Sequence, residues 1–365
     1  MRYLFAALLL LHGLIHLMGF AKAFHYGEWD QLKKAISKPA GLVWLFCALA
    51  FVSTAVLFLF KEPHWWWLAL VAMIVSQGLI ISCWTDAKFG TVVHLIMLLP
   101  ILNALPTSYT SRFQAAARPR LMHHEAMPVV TEADLGHLPA SAQKYLRLCG
   151  VVGKPQVQNF RAVFQGQFRK GIESSWMNFH SEQYNFFYPT ERLFLMDASM
   201  RSLPIQGLHL FLGESATMQI KVASLFQVVD AKGPKMNQGE TVTLFNDMCL
   251  MAPATLIDRK RIRWEDAGPL RAKAFFTHRG ITIEAALRFN EAGELVDFIS
   301  EDRLMSEDGK TYTSLPWSTP VKAYRSFADR RIASYAEVVW HTPSGEFCYG
   351  KFNLVEIDYN LTALR

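Results

Sequence analysis

The chain has 365 residues, enough for a small membrane bundle and one sizeable soluble domain. Its formal net charge is +6, but no basic run is interleaved with aromatic residues, so the sequence shows no footprint of nucleic-acid binding. Contact with anionic lipid head groups accounts for the excess charge more simply. The five cysteines are far apart and form no CxxC pair, which argues against a disulfide framework or a zinc site and favours buried free thiols.

Four long apolar runs occupy the first hundred residues. None has Asp, Glu, Lys or Arg in its interior, and each is long enough, at about 1.5 Å rise per residue, to cross roughly 30 Å of hydrocarbon. Five basic residues flank the runs on each side, so the positive-inside rule gives no orientation. The pattern predicts an all-α bundle of four transmembrane helices within residues 1–106, at Leu4–Phe20, Gly41–Phe60, Trp65–Trp84 and Phe89–Leu105.

A polar segment separates this bundle from the soluble part. Residues 107–130 predict a linker, since Ser, Arg and Pro recur there. We interpret the tract His123-His124-Glu125 within it as solvated surface rather than a metal site. A short helix is expected over residues 139–149, where the glycine that follows stops it.

Beyond residue 150 the hydrophobic period changes from 3.6 to 2 residues, the pattern of strands with one apolar face. Apolar and polar side chains alternate over residues 160–168 and 281–289. Hairpin turns are predicted at 290–293, 307–309 and 343–345. The sequence therefore predicts an α+β domain over residues 131–365, in which helices cover one mouth of a curled, mainly antiparallel sheet and leave a cavity.

One helix is predicted to interrupt the strand pattern. Asn237 followed by Glu240 is a capping-box signature, so we expect the helix to begin there. An apolar stripe follows, and Pro253 is expected to end the helix.

Several aromatic residues of the soluble domain could line an apolar pocket. The stretch 176–188 is rich in aromatics, with polar residues between them. Convergent aromatics with a few polar groups are typical of a ligand site, and a charged neighbour such as Arg192 could orient a head group. The alternative is an ordinary aromatic core that leaves no room. The candidate ligand-binding residues are Trp176, His180, Glu182, Phe187, Trp264 and Trp340.

Three histidines fall inside the predicted transmembrane helices. His12 and His16 stand four residues apart and so share one face of the first helix, while His94 lies in the fourth. Imidazoles on two helices could bind a cofactor, by ligating a haem or by hydrogen-bonding a quinone. The alternative is that neutral histidines hydrogen-bond between helices and hold them together.

Standard catalytic signatures are missing from the sequence, which has no GxSxG, HExxH, Walker-loop or GxGxxG motif. No third ligand at metal spacing accompanies His180 and Glu182, so no metal site is predicted. The sequence therefore favours a protein that is not an enzyme, and it identifies no cofactor.

Six segments resemble a bacterial family known only as a domain of unknown function. In the apolar front they are HGLIHLMGFAKAF, SKPAGLVWL and SQGLIISCWTDAKFGT, and in the soluble part they are LPASAQKYLRLCGVVGKP, VVDAKGPKMNQGE and EVVWHTPSGEFCYGKFNLVEIDYN. More loosely, the bundle is similar to quinone-linked membrane proteins of the DoxX type, and the curled sheet is similar to periplasmic lipoprotein carriers. These are likenesses of architecture, and the family has no settled activity to carry over.

The favoured function is that of a membrane-anchored protein whose soluble domain binds a lipid or another apolar ligand without catalysis. The alternative is an intramembrane redox or cofactor-binding protein that uses His12, His16 and His94. From the carrier-like resemblance we expect a multi-pass protein of the bacterial inner membrane with an extracytoplasmic soluble domain. Its expected partners are the lipid bilayer and a lipid or apolar small molecule, and no nucleic acid.

Overall fold

The computed structural model describes residues 2–27, 29, 32–105, 108–122, 126–200, 203–306, 310–327 and 329–365. The chain divides into two compact units, residues 1–111 and 112–365. The predicted domain boundaries at 106 and 131 stay a prediction. The tract His123-His124-Glu125 and the expected turn at 307–309 lie outside the described residues.

The first unit is built from helices. They are α1 Arg2–Ala23, α2 Lys38–Leu59, α3 Trp65–Ser82, α4 Trp84–Ala87 and α5 Gly90–Ala104. Four helical stretches are long and apolar enough to cross a membrane, namely α1, α2, α3 and the stretch that begins with α5. The four apolar runs of the sequence are thereby confirmed as helices.

Small residues let α1 and α2 approach each other closely. A Cβ atom on Gly19 would lie 2.1 Å from the Trp44 ring, and one on Gly41 would lie 2.3 Å from the Cβ of Ala23. Large apolar side chains on outer faces, such as that of Leu11, are exposed. This is the packing expected of helices surrounded by lipid, where close van der Waals contact rather than a hydrophobic core drives association.

The remaining elements follow from residue 109 onwards. The helices are α6 Tyr109–Leu121, α7 Glu132–Leu135, α8 Ala140–Leu148 and α9 Pro234–Met251. The strands are β1 Asn159–Phe168, β2 Met177–Phe187, β3 Thr190–Met200, β4 Leu203–Leu212, β5 Ser215–Val222, β6 Phe226–Lys232, β7 Ile262–Asp266, β8 Arg271–His278, β9 Ile281–Phe289, β10 Leu295–Ser300, β11 Leu304–Met305, β12 Thr313–Ser314, β13 Trp317–Ser318, β14 Val321–Phe327, β15 Arg330–Thr342 and β16 Gly345–Tyr359.

Fourteen of the described strands form one antiparallel sheet. Its order is β6-β5-β4-β3-β2-β1-β16-β15-β13-β10-β9-β8-β7, with β14 paired to β15, while β11 and β12 pair separately. A path of this many strands curls, because each strand is rotated by about 20–25° from its neighbour. We call residues 112–365 the half-barrel unit. The predicted fold class, a helical front followed by a domain with a curled antiparallel sheet, is confirmed.

Helix α9 lies inside the curl of the sheet. Thirteen of its eighteen residues are buried, and a helix buried on all sides must be enclosed by other elements. It contacts β5 and β6 near one end of the sheet order and β9 and β10 near the other. The helix therefore covers the concave face.

The start of α9 differs from the expectation. The helix begins at Pro234, after Gly233 with φ +102°, so Asn237 lies within the first turn rather than before it. The Asn237 Oδ1 atom instead accepts a hydrogen bond from Ala216 N at 2.8 Å. The predicted capping box is wrong, because Pro234 presets the helical φ and starts the helix one turn earlier.

Other local predictions are confirmed. The stretches 160–168 and 281–289 form β1 and β9, and in β9 the alternate residues Ile283, Ala285 and Leu287 are buried. The turns at 290–293 and 343–345 join β9 to β10 and β15 to β16. All five cysteines are free thiols, four of them buried and Cys348 half-buried.

Candidate functional site

A cavity of about 410 Å³ lies between α9 and the concave face of the sheet. Strand residues reach it with a period of two, since alternate side chains point to the same face. Its apolar wall includes Phe164 and Phe168 of β1, Phe194 of β3, Ile220 of β5 and Val229 of β6. Cavities of about 300–1,000 Å³ with mostly apolar walls are typical of small-molecule sites.

Methionines make up a notable part of this wall. The lining methionines come from strands and from α9, and they are Met196, Met218, Met236, Met251 and Met305. A methionine side chain is unbranched and polarizable, so it adjusts to apolar groups of different shape. The wall can therefore adapt to more than one apolar ligand.

A buried ion cluster stands at one side of the cavity. Arg192 donates from Nε to Asp247 Oδ2 at 2.6 Å and from Nη1 to Glu240 Oε2 at 3.2 Å. The same Asp247 oxygen accepts from Gln183 Nε2 at 2.6 Å and from Asn185 Nδ2 at 3.2 Å. All five side chains are buried. Because a buried charge is tolerated only when it is paired and hydrogen-bonded, these groups hold one another in place.

The cluster shifts the two carboxyl pKa values in opposite directions. Burial alone would raise the pKa of Glu240, but Arg192 and His209 lower it to about 2. At Asp247 burial prevails and raises the carboxyl pKa, despite the hydrogen bonds from Arg192 and Asn185. At neutral pH the charge of Glu240 is therefore a counter-ion of Arg192.

Arg303 supplies a second cation to the cavity. Its guanidinium carbon lies 4.4 Å from the centre of the Trp317 ring and 6.0 Å from that of Trp340. The side chain is half-buried and donates a hydrogen bond to Thr243 Oγ1 on α9. A guanidinium over an aromatic face is held in orientation while several of its N–H donors stay available.

Two buried polar atoms beside the cavity lack a hydrogen-bond partner within the described structure, Asn246 Oδ1 and Thr319 Oγ1. Both residues line the cavity. An unsatisfied buried polar group costs about 1–3 kcal/mol. A ligand group that bonded either atom would recover part of that cost.

Of the predicted ligand-binding residues, Trp340 lines the cavity. Its ring is buried and stacks on that of Tyr349, with 6.1 Å between the centroids. Arg192, the expected head-group partner, also lines the cavity, but Glu240 and Asp247 already bind its guanidinium.

The other five predicted residues lie away from the cavity lining. Trp176 is half-buried between two cations, Arg169 and Lys351, whose charged atoms lie 4.7 and 4.6 Å from its ring centre. His180 is exposed. Across the described residues, no group of three or more His, Cys, Asp or Glu is arranged to hold a metal ion.

Glu182, Phe187 and Trp264 have structural contacts. Glu182 accepts a hydrogen bond from Arg161 Nε at 2.6 Å, and Phe187 is buried in the core. The indole nitrogen of Trp264 donates to the carbonyl oxygen of Leu256 at 3.2 Å. A ligand-binding role for these residues stays a prediction.

Sequence reasoning missed most of the residues that line the cavity. It weighted aromatic density, whereas the wall is made by the concave face of many strands. The period-two pattern of residues 160–168 did carry a signal, since Phe164 and Phe168 share the lining face. Arg303 had no comparable signal, because it lies in a connection whose position depends on the whole sheet.

In the first unit the three predicted histidines meet. His12 Nε2 lies 3.0 Å from His94 Nε2, and Ser76 Oγ lies 3.0 Å from that nitrogen and 2.8 Å from His16 Nε2. His94 Nδ1 is 2.7 Å from Gln77 Oε1. These hydrogen bonds join α1, α3 and α5, as polar residues between apolar helices commonly do. The cofactor-binding role of the histidines stays a prediction.

A family model described as a family of unknown function, DUF6544, matches residues 128–352. The match covers most of the half-barrel unit and more than half of the chain. The chain belongs to this family. The resemblance to a family of unknown function is thereby confirmed, and no curated protein gives a significant match.

Solved structures give further likenesses. The chain is similar to a domain from Vibrio parahaemolyticus titled an outer membrane lipoprotein-sorting protein, with 12% identity over 57% of this chain and 87% of that one and a TM-score of 0.33. It is similar to a LolA superfamily protein from Nitrosomonas europaea, with 9% identity over 65% and 96% and a TM-score of 0.34. A beta-barrel-like protein of unknown function from Brucella abortus has 11% identity over 56% and 98% and a TM-score of 0.22. Likenesses this distant carry no conclusion about the ligand or activity of this chain.

Proposed function

We propose that the half-barrel unit binds a lipid or another apolar ligand in the cavity beneath α9, without catalysing a reaction on it. The observation that carries this proposal is the cavity itself, about 410 Å³ of space walled by phenylalanine, methionine and aliphatic side chains. Each buried CH₂ group contributes about 0.8 kcal/mol. An acyl chain of several carbons would therefore offset the entropy lost when it is ordered in the cavity.

The charged groups of the cavity support binding rather than catalysis. A general acid or base must reach the substrate with a proton site free. Glu240 and Asp247 are instead bound to Arg192, which fixes α9 against β3. In this proposal the cluster therefore holds α9 against β3 and does not react with the ligand.

We also propose that the four apolar helices anchor the chain in a bacterial inner membrane, with the half-barrel unit outside the cytoplasm. The length and composition of the helices support the anchor. A half-barrel tethered to a bilayer is never far from lipids, which are the obvious source of an apolar ligand.

Blocking the cavity tests the binding proposal. Val229 lines the cavity, whereas its neighbour Val228 points outward and is 57% exposed. We expect native mass spectrometry of the detergent-extracted full chain to show a co-purified lipid that is lost in Val229→Trp and retained in Val228→Trp, because only the first ring fills the site. Circular dichroism of both variants checks that the sheet is intact.

Two results would contradict the proposal. One is a wild-type chain that carries no apolar molecule and takes none up when fatty acids or phospholipids are added. The other is a folded Val229→Trp variant that retains the same lipid as Val228→Trp.

The second candidate function is an intramembrane redox or cofactor-binding role for His12, His16 and His94. The meeting of their three imidazoles inside the first unit favours it. A quinone oxygen could bind by accepting a hydrogen bond from one imidazole in place of that imidazole's present partner. A haem iron would instead need an imidazole nitrogen as a ligand, and that nitrogen would have to give up its hydrogen bond.

A further inference from the structure

Some of the charged side chains around the cavity are paired with each other, and others are available to a ligand. The lining residues that the structure describes include five Lys or Arg side chains and two acidic ones, with His209 beside Glu240. Both acids, Glu240 and Asp247, bind Arg192. Among the described residues, no carboxylate forms an ion pair with any of the other four Lys and Arg side chains of the lining, so these four supply the positive charge that is open to a ligand.

Arg192 is not available to a ligand. Its Nε and Nη1 atoms are bonded to the two carboxylates, and its Nη2 atom lies 3.5 Å from Gln183 Oε1. Replacing these buried bonds would leave a carboxylate without its partner, which is strongly unfavourable.

Arg303 is in the opposite situation. None of the described carboxylates forms an ion pair with it, and its hydrogen bond to Thr243 uses one of five N–H groups. The Trp317 ring lies beneath its guanidinium, and Trp317 is itself fixed by a hydrogen bond from its indole nitrogen to Tyr349 Oη at 3.0 Å. The cation is thus half-buried, oriented and incompletely bonded.

The two unsatisfied polar atoms belong to residues that lie close in sequence to the contacts of this cation. Thr319 follows Trp317 by two positions and lines the same cavity, and its buried hydroxyl can donate a hydrogen bond. Asn246 follows Thr243 by three positions on α9, so the two share a helix face. The amide of Asn246 supplies either an acceptor or a donor, depending on its orientation.

The mouth of the cavity adds positive charge. Lys170 and Lys235 line it and are exposed, and a cleft lined with one sign of charge attracts ligands of the opposite sign. Arg169 lines it as well, with its guanidinium over the Trp176 ring.

We propose that the ligand is an amphiphile with an anionic head group, a carboxylate or phosphate, which binds Arg303 while its chain lies along the phenylalanine and methionine wall. This inference rests on the proposed function and assigns a ligand class to it. Arg303 is the residue that selects the head group, and Thr319 donates a further hydrogen bond to it.

Matched probes that differ only in the head group test this inference. Decanoate, decyl phosphate and 1-decanol share a ten-carbon chain, and binding of each to the detergent-purified full chain can be measured by isothermal titration calorimetry. We expect one or both anions to bind at least about tenfold more tightly than the alcohol, since hydrogen bonds to charged groups are the strong ones. Which anion binds more tightly distinguishes a carboxylate from a phosphate head group.

Substitutions then test which residue is responsible for the preference for an anionic head group. We expect Arg303→Gln to weaken binding of the preferred anion roughly ten- to hundredfold and to leave 1-decanol unchanged. Arg303→Lys keeps the charge and should restore part of the preference. Arg325→Gln removes the same charge from an exposed position of β14 outside the cavity lining and should change nothing.

The outcomes separate this inference from the proposed function. The inference of an anionic head group is contradicted if all three probes bind equally to the wild-type chain, or if the Arg303→Gln variant keeps the same preference. Neither result contradicts the binding of an apolar ligand. If acetate, which lacks the long chain, binds as tightly as decanoate, the inference that the ligand is an amphiphile is contradicted. If native mass spectrometry finds no lipid on the chain and none of the ten-carbon probes binds, the proposed function itself fails.

Discussion

Glu240 connects α9 to the sheet through its bond to Arg192 of β3. Its pKa is lowered from 4.5 to about 2, so its contribution to stability is complete above pH 4.5 and is lost as the pH falls towards 2. We expect Glu240→Gln to destabilise the half-barrel unit by about 3 kcal/mol at pH 7, as is typical when one partner of a buried pair is removed. Thermal melts of the full chain, followed by near-ultraviolet circular dichroism, should show this difference shrinking between pH 4.5 and 2.

An exposed pair provides the control for this prediction. Glu265 forms an ion pair with Arg263 on β7, and both side chains are about half exposed. Glu265→Gln should change the melting temperature little at any pH, because exposed pairs contribute roughly 0–1 kcal/mol. A Glu240→Gln variant that melts like wild type at pH 7 would show that the buried pair is energetically neutral.

Individual cavity residues were only partly predictable from the sequence. Trp340 was predicted and lines the cavity, because a large aromatic ring in a strand is commonly buried on the apolar face of its sheet. Trp176 was also predicted, yet it stacks between Arg169 and Lys351 outside the lining. Composition cannot distinguish these two environments, since a tryptophan ring packs favourably both against apolar atoms and against cations.

At the scale of elements, the histidine contacts make α1, α3 and α5 one connected group. His16 bonds Ser76 of α3, and His12 contacts His94 of α5. If the histidines serve packing alone, His16→Ala should lower the melting temperature of the purified chain while its absorbance spectrum stays that of the polypeptide. If they bind a haem or quinone, the wild-type chain should carry that absorbance or an extractable quinone, and His16→Ala should reduce its amount.

A matched substitution makes this test specific. His25 lies outside α1 and is exposed, so His25→Ala removes an imidazole without touching the cluster. Loss of cofactor or stability in His25→Ala equal to that in His16→Ala would contradict any particular role of the cluster.

Elements with a single buried face were the most predictable part of the fold. Strands β1 and β9 were predicted because their apolar residues alternate, which only a half-buried strand requires. The start of α9 was predicted wrongly because Asn237 and Glu240 both have tertiary partners, Ala216 and Arg192. A local capping signature carries no information about such long-range bonds, and Pro234 had already started the helix one turn earlier.

At the scale of the whole molecule, the number of spans constrains topology even though the flanking charges do not. If all four apolar helices cross a membrane, the loop between α2 and α3 and the half-barrel unit are on one side of it, and the loop between α1 and α2 is on the other. We propose that the half-barrel side is extracytoplasmic. Alkaline phosphatase, which is active only outside the cytoplasm, should therefore be active when fused after Arg120 and inactive when fused after Lys34, while a fluorescent reporter that folds only in the cytoplasm should give the reverse. The reversed pattern would place the half-barrel unit in the cytoplasm, and equal activity at both positions would contradict the four spans.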